Sequence, residues 1–204
     1  MPDVIKELCR ICIFNEMVLS VFFQLSMFRV PAGVIRLRLL VLCLFLLSGC
    51  TGIPKGIDPV TGFDLQKYYG KWYEVARLDH RFERGLQNVT AEYSALDNGF
   101  VQVKNRGFSV EKQQWSEAIG RARFKSDPET GHLLVSFFGP FYASYVIFEL
   151  DDYQQAYVVG NNRKFLWFLS RKPVVSDADK EKFLQKTRES GFDTSELIWV
   201  EQSK

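Results

Sequence analysis

The sequence predicts an all-β domain: an eight-stranded up-and-down antiparallel β-barrel, with one α-helix packed outside near the carboxyl end and a short last strand. Three observations carry this. From residue 71 onward, short runs of alternating apolar and polar residues follow one another, each closed by a turn signal. The connections are too short for crossover helices, so the strands must join as hairpins, and closing the sheet removes its exposed edges. Only after Pro173 does the apolar period lengthen from that of a strand to that of a helix. A two-sheet sandwich is the runner-up architecture.

The first strand covers 71–77. In the second, Val89, Ala91, Tyr93 and Ala95 alternate with Thr90, Glu92 and Ser94, and the run stops at Asp97, Asn98 and Gly99. These three residues suit a tight turn, and Val101 and Val103 resume the alternation beyond it, which makes a hairpin. Further strands are expected at about 115–124, 133–138, 142–150, 155–160 and 165–171, separated by turn formers such as Asp127, Pro128, Gly139 and Pro140. Ser176 with Asp179 three residues later forms a helix start. Phe183, Leu184 and Thr187 share one face of that helix, and Gly191 stands where a C-terminal cap belongs. Leu197, Ile198, Trp199 and Val200 form the last strand.

Ahead of the domain lies an address. Arg36 and Arg38 precede an apolar run from Leu39 to Leu47, which is shorter than the about 20 residues a membrane-spanning helix needs. A basic flank, a short apolar core and small residues before a break describe a secretory signal peptide, here residues 1–49. Leu47, Ser48, Gly49 and Cys50 resemble the lipobox of bacterial lipoproteins. That resemblance implies a diacylglycerol group on the Cys50 thiol, cleavage before Cys50, and a palmitate-class acyl chain on the new amino terminus. Thr51 in the next position, where Asp would retain the protein, implies sorting to the outer membrane. Asp3, Lys6, Glu7 and Glu16 do not suit a signal peptide, so a functional start at Met27 is expected. The Gly- and Pro-containing stretch 51–62 reads as a tether, with the barrel domain at 63–204.

Composition excludes several functions. Lys plus Arg number 26 against 24 Asp plus Glu, with no basic block, so no nucleic-acid partner is implied. All four cysteines fall within the first 50 residues, which leaves no disulfide for the domain. The pair Cys9 and Cys12 lacks the second pair that a zinc site requires. His80 and His132 are the only histidines, and neither a nucleophile elbow nor a phosphate loop is present. The reading is therefore of a protein that is not an enzyme and has no cofactor and no metal. The mixed-sign cluster Asp79, Arg81, Glu83 and Arg84 reads as a solvated loop held by ion pairs.

Gly70-Lys71-Trp72 at the start of the first strand, Asp151-Asp152-Tyr153 after the sixth and Arg171 at the end of the eighth resemble the three sequence motifs of lipocalins. The stretches 72–85 (WYEVARLDHRFERG), 136–142 (SFFGPFY) and 166–171 (LWFLSR) are similar to the bacterial members of that family, which are outer-membrane lipoproteins of Gram-negative species. The resemblance implies that Gly70, Trp72, Asp152, Tyr153 and Arg171 are structural. Trp72 would close the narrow end under the Arg171 guanidinium. It also implies a fatty acid or lysophospholipid ligand, a part in membrane maintenance under stress, and admits a homodimer.

Eight strands enclose about enough room for one small ligand, and 15% aromatic residues can line it. Small Ala118, Gly120 and Ala122 on one face leave space beside those aromatics. Alternation selects Tyr93, Asn105, Trp115, Phe137, Tyr142, Val146 and Trp167 as ligand-binding residues. On the sixth strand, Glu149 is taken to face out, with Tyr145 and Ile147 beside it, which leaves Val146 and Phe148 inward. Two other readings fit the same residues: a structural or partner-binding envelope lipoprotein whose barrel is filled by its own side chains, and a lipid-modifying enzyme. The enzyme would need an acid or base inside the barrel, and none is evident in the sequence.

Overall fold

A computed structural model describes residues 51–202. The signal peptide 1–49, the start at Met27 and the acyl site Cys50 lie outside the described residues. The elements are a short helix α1 (Leu65–Tyr68), then strands β1 (Gly70–Leu78), β2 (Leu86–Ala95), β3 (Val101–Ser109), β4 (Gln114–Phe124), β5 (His132–Phe138), β6 (Phe141–Asp151), β7 (Gln155–Val159) and β8 (Leu166–Ser170). Helix α2 (Asp177–Glu189) and strand β9 (Leu197–Trp199) follow. Each strand pairs antiparallel with the next, and β1 pairs with both β2 and β8, so the eight strands close into a barrel with β9 added on its outside. The sandwich is thereby excluded.

Local chemistry explains the joints. Between β2 and β3, Asn98 and Gly99 take left-handed backbone angles, φ 65° and 76°, as a tight turn demands. Ser176 caps α2 reciprocally with Asp179: its Oγ accepts from the Asp179 amide at 3.1 Å, and its own amide donates to Asp179 Oδ2 at 3.1 Å. Gly191 (φ 78°) ends the helix, with the Phe192 amide returning to the Thr187 carbonyl at 3.0 Å.

Two apolar clusters divide the molecule. One fills the barrel's closed half, with Phe63, Tyr68, Trp72, Val101, Leu133 and Val158 among its members. The other lies outside the barrel under α2 and joins Val75, Val146, Tyr157, Phe168, Phe183 and Phe192. Phe183 stacks on Phe168 at 4.8 Å and meets Tyr157 edge-on at 4.9 Å. Ion pairs of 2.8 Å from Lys182 to Asp151 and from Lys186 to Glu149 tie the helix to β6.

The stretch 51–62 is not a tether. Pro54 and Ile57 are buried, and Ile57 joins the outer cluster. The Val60 amide donates to the Ile147 carbonyl at 2.9 Å, and the Val60 carbonyl accepts from Gly131 at 2.9 Å. Arg163 Nη2 donates to the Lys55 carbonyl at 2.7 Å, while Lys125 Nζ donates to the carbonyl of Thr51. Glycine and proline serve here to fit a strap against the barrel wall, and the apolar residues between them supply the reason to stay.

Candidate ligand site inside the barrel

Register assigns each side chain to a face, because residues directly opposite one another on neighbouring strands point the same way. Trp72, Ala91, Asn105 and Ala118 form one such row from β1 to β4. Tyr93, Val103 and Gly120 form the next, and Ile147, Val158, Trp167 and Arg77 form a row on the other wall. Since Trp72, Tyr93 and Val158, one from each row, lie in the inner cluster, all three rows face inward.

The closed end is sealed from several directions. Trp72 is fully buried, and its indole N–H donates to the Tyr68 carbonyl at 2.9 Å. The Arg171 guanidinium lies 4.0 Å from the Trp72 ring centroid and donates to four carbonyls, those of Lys67, Tyr69, Lys71 and Tyr153. Gly70 adopts φ 95°, and a Cβ there would stand 3.4 Å from Arg171 Nη1. Asp152 and Tyr153 form the β6–β7 turn with φ 42° and 58°, and the Tyr153 hydroxyl accepts from the Asp64 amide at 2.6 Å. Just inside the seal, the Tyr145 hydroxyl bonds those of Tyr68 at 2.7 Å and Tyr93 at 2.8 Å. Burial pushes the ionisation of all three phenols upward, so they remain neutral hydrogen-bonding groups.

Toward the open end the interior becomes polar, which alternation did not reveal. Glu74 faces inward opposite Leu169. A bulge between Glu74 and Ala76 then turns Val75 and Ala76 outward and brings Arg77 back inside. Arg77 is 2% exposed and donates to Glu74 Oε1 at 2.5 Å and to the Glu83 carbonyl at 2.7 Å. Glu83 is also buried and accepts from the Trp167 indole N–H at 3.0 Å. The solvated-loop reading of this cluster therefore holds for the exposed pair Asp79 and Arg84 but fails for Glu83. Acids do stand inside the barrel. Burial raises Glu74 well above the usual carboxylate range, with repulsion from Glu83 adding to it, and burial raises Glu83 as well.

His80 stacks on Phe82 at 4.2 Å and lies 5.0 Å from Trp167 and 5.8 Å from Phe165, an aromatic group made by the β1–β2 loop, the β7–β8 loop and the start of β8 at the open end. Burial and the Arg77 charge lower its pKa to about 3. Glu83 Oε2 lies 3.4 Å from His80 Nδ1, which would favour the charged ring, but that oxygen is already engaged by Trp167 and the carboxyl itself is raised. A neutral imidazole follows.

Of the seven residues selected by alternation, the structure turns Tyr93, Asn105, Phe137 and Trp167 inward. Three belong elsewhere. Val146 is fully buried, but in the outer cluster under α2. The register shift between Ile147 and Glu149 is the cause: it leaves Phe148 and Glu149 both outside, so counting back from Glu149 inverts the strand, and Tyr145 and Ile147 are the inward residues. Tyr142 is displaced by the same miscount and sits outside, with Arg123 5.2 Å from its ring. Trp115 has the opposite parity to Ala118, Gly120 and Ala122, so it stands outside, 49% exposed, with Arg106 4.0 Å over its ring.

The inner row shows what the open half can accept. Trp72 and Ala91 are buried, Asn105 is half-buried, and inward-facing Ala118 is exposed. Asn105 Oδ1 is out of contact with solvent and has no hydrogen-bond donor, an acceptor aimed into an apolar interior.

Residues 63–202 match the lipocalin-like domain family. The chain belongs to the lipocalins. This lipocalin is 53% identical to the outer membrane lipoprotein Blc of Vibrio cholerae over 169 residues, 82% of this chain and 99% of that protein. It is 45% identical to outer membrane lipoprotein Blc of Escherichia coli K12 over 161 residues, 78% of this chain and 91% of that protein. These relatives assign the lipocalin to the outer membrane of a Gram-negative bacterium. Among solved structures, insecticyanin from the tobacco hornworm Manduca sexta superposes with a TM-score of 0.60 at 23% identity, over 75% of this chain and 88% of that one. The cockroach allergen Per a 4 superposes with a TM-score of 0.59 at 22% identity, over 75% and 96%. Both show the same fold.

Proposed function

We propose that this lipocalin is a binding protein, acylated on Cys50 and held at the outer membrane, that takes up a fatty acid or lysophospholipid in its barrel for lipid storage or transport during envelope maintenance. The observation that carries the reading is the row from Trp72 to Ala118, along which inward-facing residues pass from buried to exposed while the closed end stays sealed. An acyl chain entering beside Ala118 would meet Val103, Phe137 and Tyr93, and each square ångström of apolar surface it buries contributes roughly 25 cal/mol. The polar groups at the open half suit a headgroup. Asn105 Oδ1 accepts but cannot donate, which favours a ligand carrying a hydroxyl, such as the glycerol of a lysophospholipid. No catalytic step is proposed: Glu74 is held by Arg77, and Glu83 by Trp167.

Displacement of a fluorescent fatty acid from the purified protein tests this directly, with saturable competition expected from both lipid classes. Asn105→Leu should weaken lysophospholipid about tenfold and fatty acid much less, as expected for loss of one hydrogen bond to a buried acceptor. Absence of saturable binding by either class would refute the proposal. Intact-mass measurement of the membrane form should show the acyl additions on Cys50.

A further inference from the structure

Two arginines on the outer wall converge on one ring. Arg121 and Arg123 lie on the outward face of β4, where Arg121 stands opposite Gln102 of β3 and Ser136 of β5, and Arg123 opposite Leu134 of β5. Both reach across β5 to Tyr142 of β6: their Cζ atoms lie 6.0 and 5.2 Å from the centre of its ring, and Cζ of Arg121 is also 5.4 Å from that of Phe100. Leu134 and Ser136 are buried beneath this arch.

Like charges gathered on one ring repel, and the outward residues beside them offer no carboxylate. They are Gln102 and Lys104 on β3, His132, Leu134 and Ser136 on β5, and Tyr142, Ser144 and Val146 on β6. Glu117, on the same face of β4, is four residues from Arg121, about 13 Å along the strand. Among the described residues, neither arginine forms an ion pair or donates a hydrogen bond to a protein acceptor.

Ser136 is an independent sign. It is 4% exposed and faces out with Arg121, while its neighbours Val135 and Phe137 pack on the inner cluster. Its Oγ is out of contact with solvent and has no hydrogen-bond partner. A buried hydroxyl without a partner is a cost that a bound acceptor would remove.

We propose that Arg121, Arg123 and Ser136 form a second binding site, on the outside of the barrel wall, that takes a phosphomonoester group. Donors approach it from two positions on β4 and one on β5, which suits a tetrahedral anion with three free oxygens better than a carboxylate with two. The Tyr142 and Phe100 rings hold the guanidinium groups without using their N–H donors, and a shift of either group off the ring opens Ser136 Oγ to donate to a phosphate oxygen. All three side chains face away from the barrel interior, so the site is independent of the ligand proposed there. The chemistry is the same for a free phosphomonoester and for one borne by a lipid headgroup.

The mature protein in neutral detergent micelles is titrated at about pH 7.5, where a phosphomonoester is mainly a dianion, with glycerol 1-phosphate, dihexanoyl phosphatidic acid and, for comparison, acetate. Saturable shifts of the Arg121 and Ser136 amide NMR signals are expected from both phosphates and not from acetate. Arg121→Gln and Arg123→Gln should each weaken glycerol 1-phosphate about tenfold, and Ser136→Ala about threefold. Ser136→Ala should leave the thermal midpoint unchanged or raise it, because the hydroxyl has no partner to lose. Arg106→Gln removes the same charge from β3, where that side chain lies over Trp115, and should change affinity less than twofold. Equal affinity for the two phosphates supports a free phosphomonoester as the ligand; tighter binding of phosphatidic acid that is lost in Arg121→Gln supports a lipid headgroup. Absence of saturable shifts at residue 136 overturns the proposal. So does an Arg106→Gln variant that weakens binding as much as Arg121→Gln, which would identify a diffuse surface potential in place of a site.

Discussion

Replacing His80 by phenylalanine should remove most of the acid sensitivity that this one side chain confers. The ring is 6% exposed, stacked on Phe82 at 4.2 Å, and neither of its nitrogens has a hydrogen-bond partner. Its folded pKa is about 3, against about 6.5 in the unfolded chain. Because the folded value is depressed, the unfolded state binds more protons through this window, and stability falls as pH falls below 6.5. Between pH 7 and pH 5 the cost of keeping the ring neutral grows by about 2 kcal/mol, which corresponds to roughly 4–8 °C in Tm for a domain of this size. Glu74 and Glu83 act in the opposite direction, since their raised values make the native state gain protons first and grow more stable relative to the unfolded state as pH falls. They are common to wild type and variant, so they cancel in the difference. Urea unfolding of wild type and His80→Phe at pH 7 and pH 5 measures that difference, and imidazole NMR, with only His80 and His132 present, measures the titration itself. If His80 titrates at or above 6.5, the ring pairs with Glu83 as a cation, the sign of the effect reverses, and the account given of the open end is wrong.

Three substitutions test the rest of the architecture. Arg171→Lys keeps a cation but loses the fork that serves four carbonyls; a loss of about 2–3 kcal/mol is expected from urea unfolding, and a loss below about 0.5 kcal/mol would mean that the seal does not depend on it. Val146→Ala should cost about 2 kcal/mol by emptying the outer cluster, yet leave fatty acid affinity unchanged; a change in affinity without one in stability would return Val146 to the interior. In Gly120→Ala the new Cβ would stand 2.7 Å from both Phe137 Cδ1 and the Ser136 carbonyl oxygen, and the latter cannot swing away. A loss of about 1–3 kcal/mol is expected by thermal unfolding, together with weaker ligand binding as Phe137 is pushed from its place.

Strand positions were legible because alternation and turn chemistry are local: Asn98 and Gly99 adopt the angles their types favour, and Ser176 and Asp179 make the reciprocal cap. Side-chain direction was legible only between irregularities. A bulge at Phe148 and Glu149 inverted the reading of β6 as far back as Tyr142, and one at Val75 and Ala76 hid the fact that Glu74 and Arg77 share the interior. Nothing in the residues themselves marks these shifts, since a bulge is set by how two strands meet. Charge misled for a related reason: Glu83 beside Asp79 and Arg84 has the composition of a wet loop, and only Trp167 and Arg77, distant or inverted in the sequence, account for its burial. The strap failed on composition too, because Gly and Pro mark irregular backbone whether or not it is packed.

The seam beside β1 has a consequence for how the chain reaches its native state. At its open half β1 leaves β2 and pairs with β9, and the residues after β9 fill the gap: the Asn88 amide donates to the Glu201 carbonyl at 2.8 Å, and Gln202 Nε2 donates to the carbonyls of Glu74 and Val89 at 2.8 and 3.0 Å. The first strand is thus completed by the last residues. A chain emerging amino end first can form hairpins as it goes, but it cannot close the ring until β8 has appeared or fill the gap beside β1 until residues 197–202 have, and such distant pairings are slow to find. This ordering delays completion of the wall beside β1 to the last stage of folding.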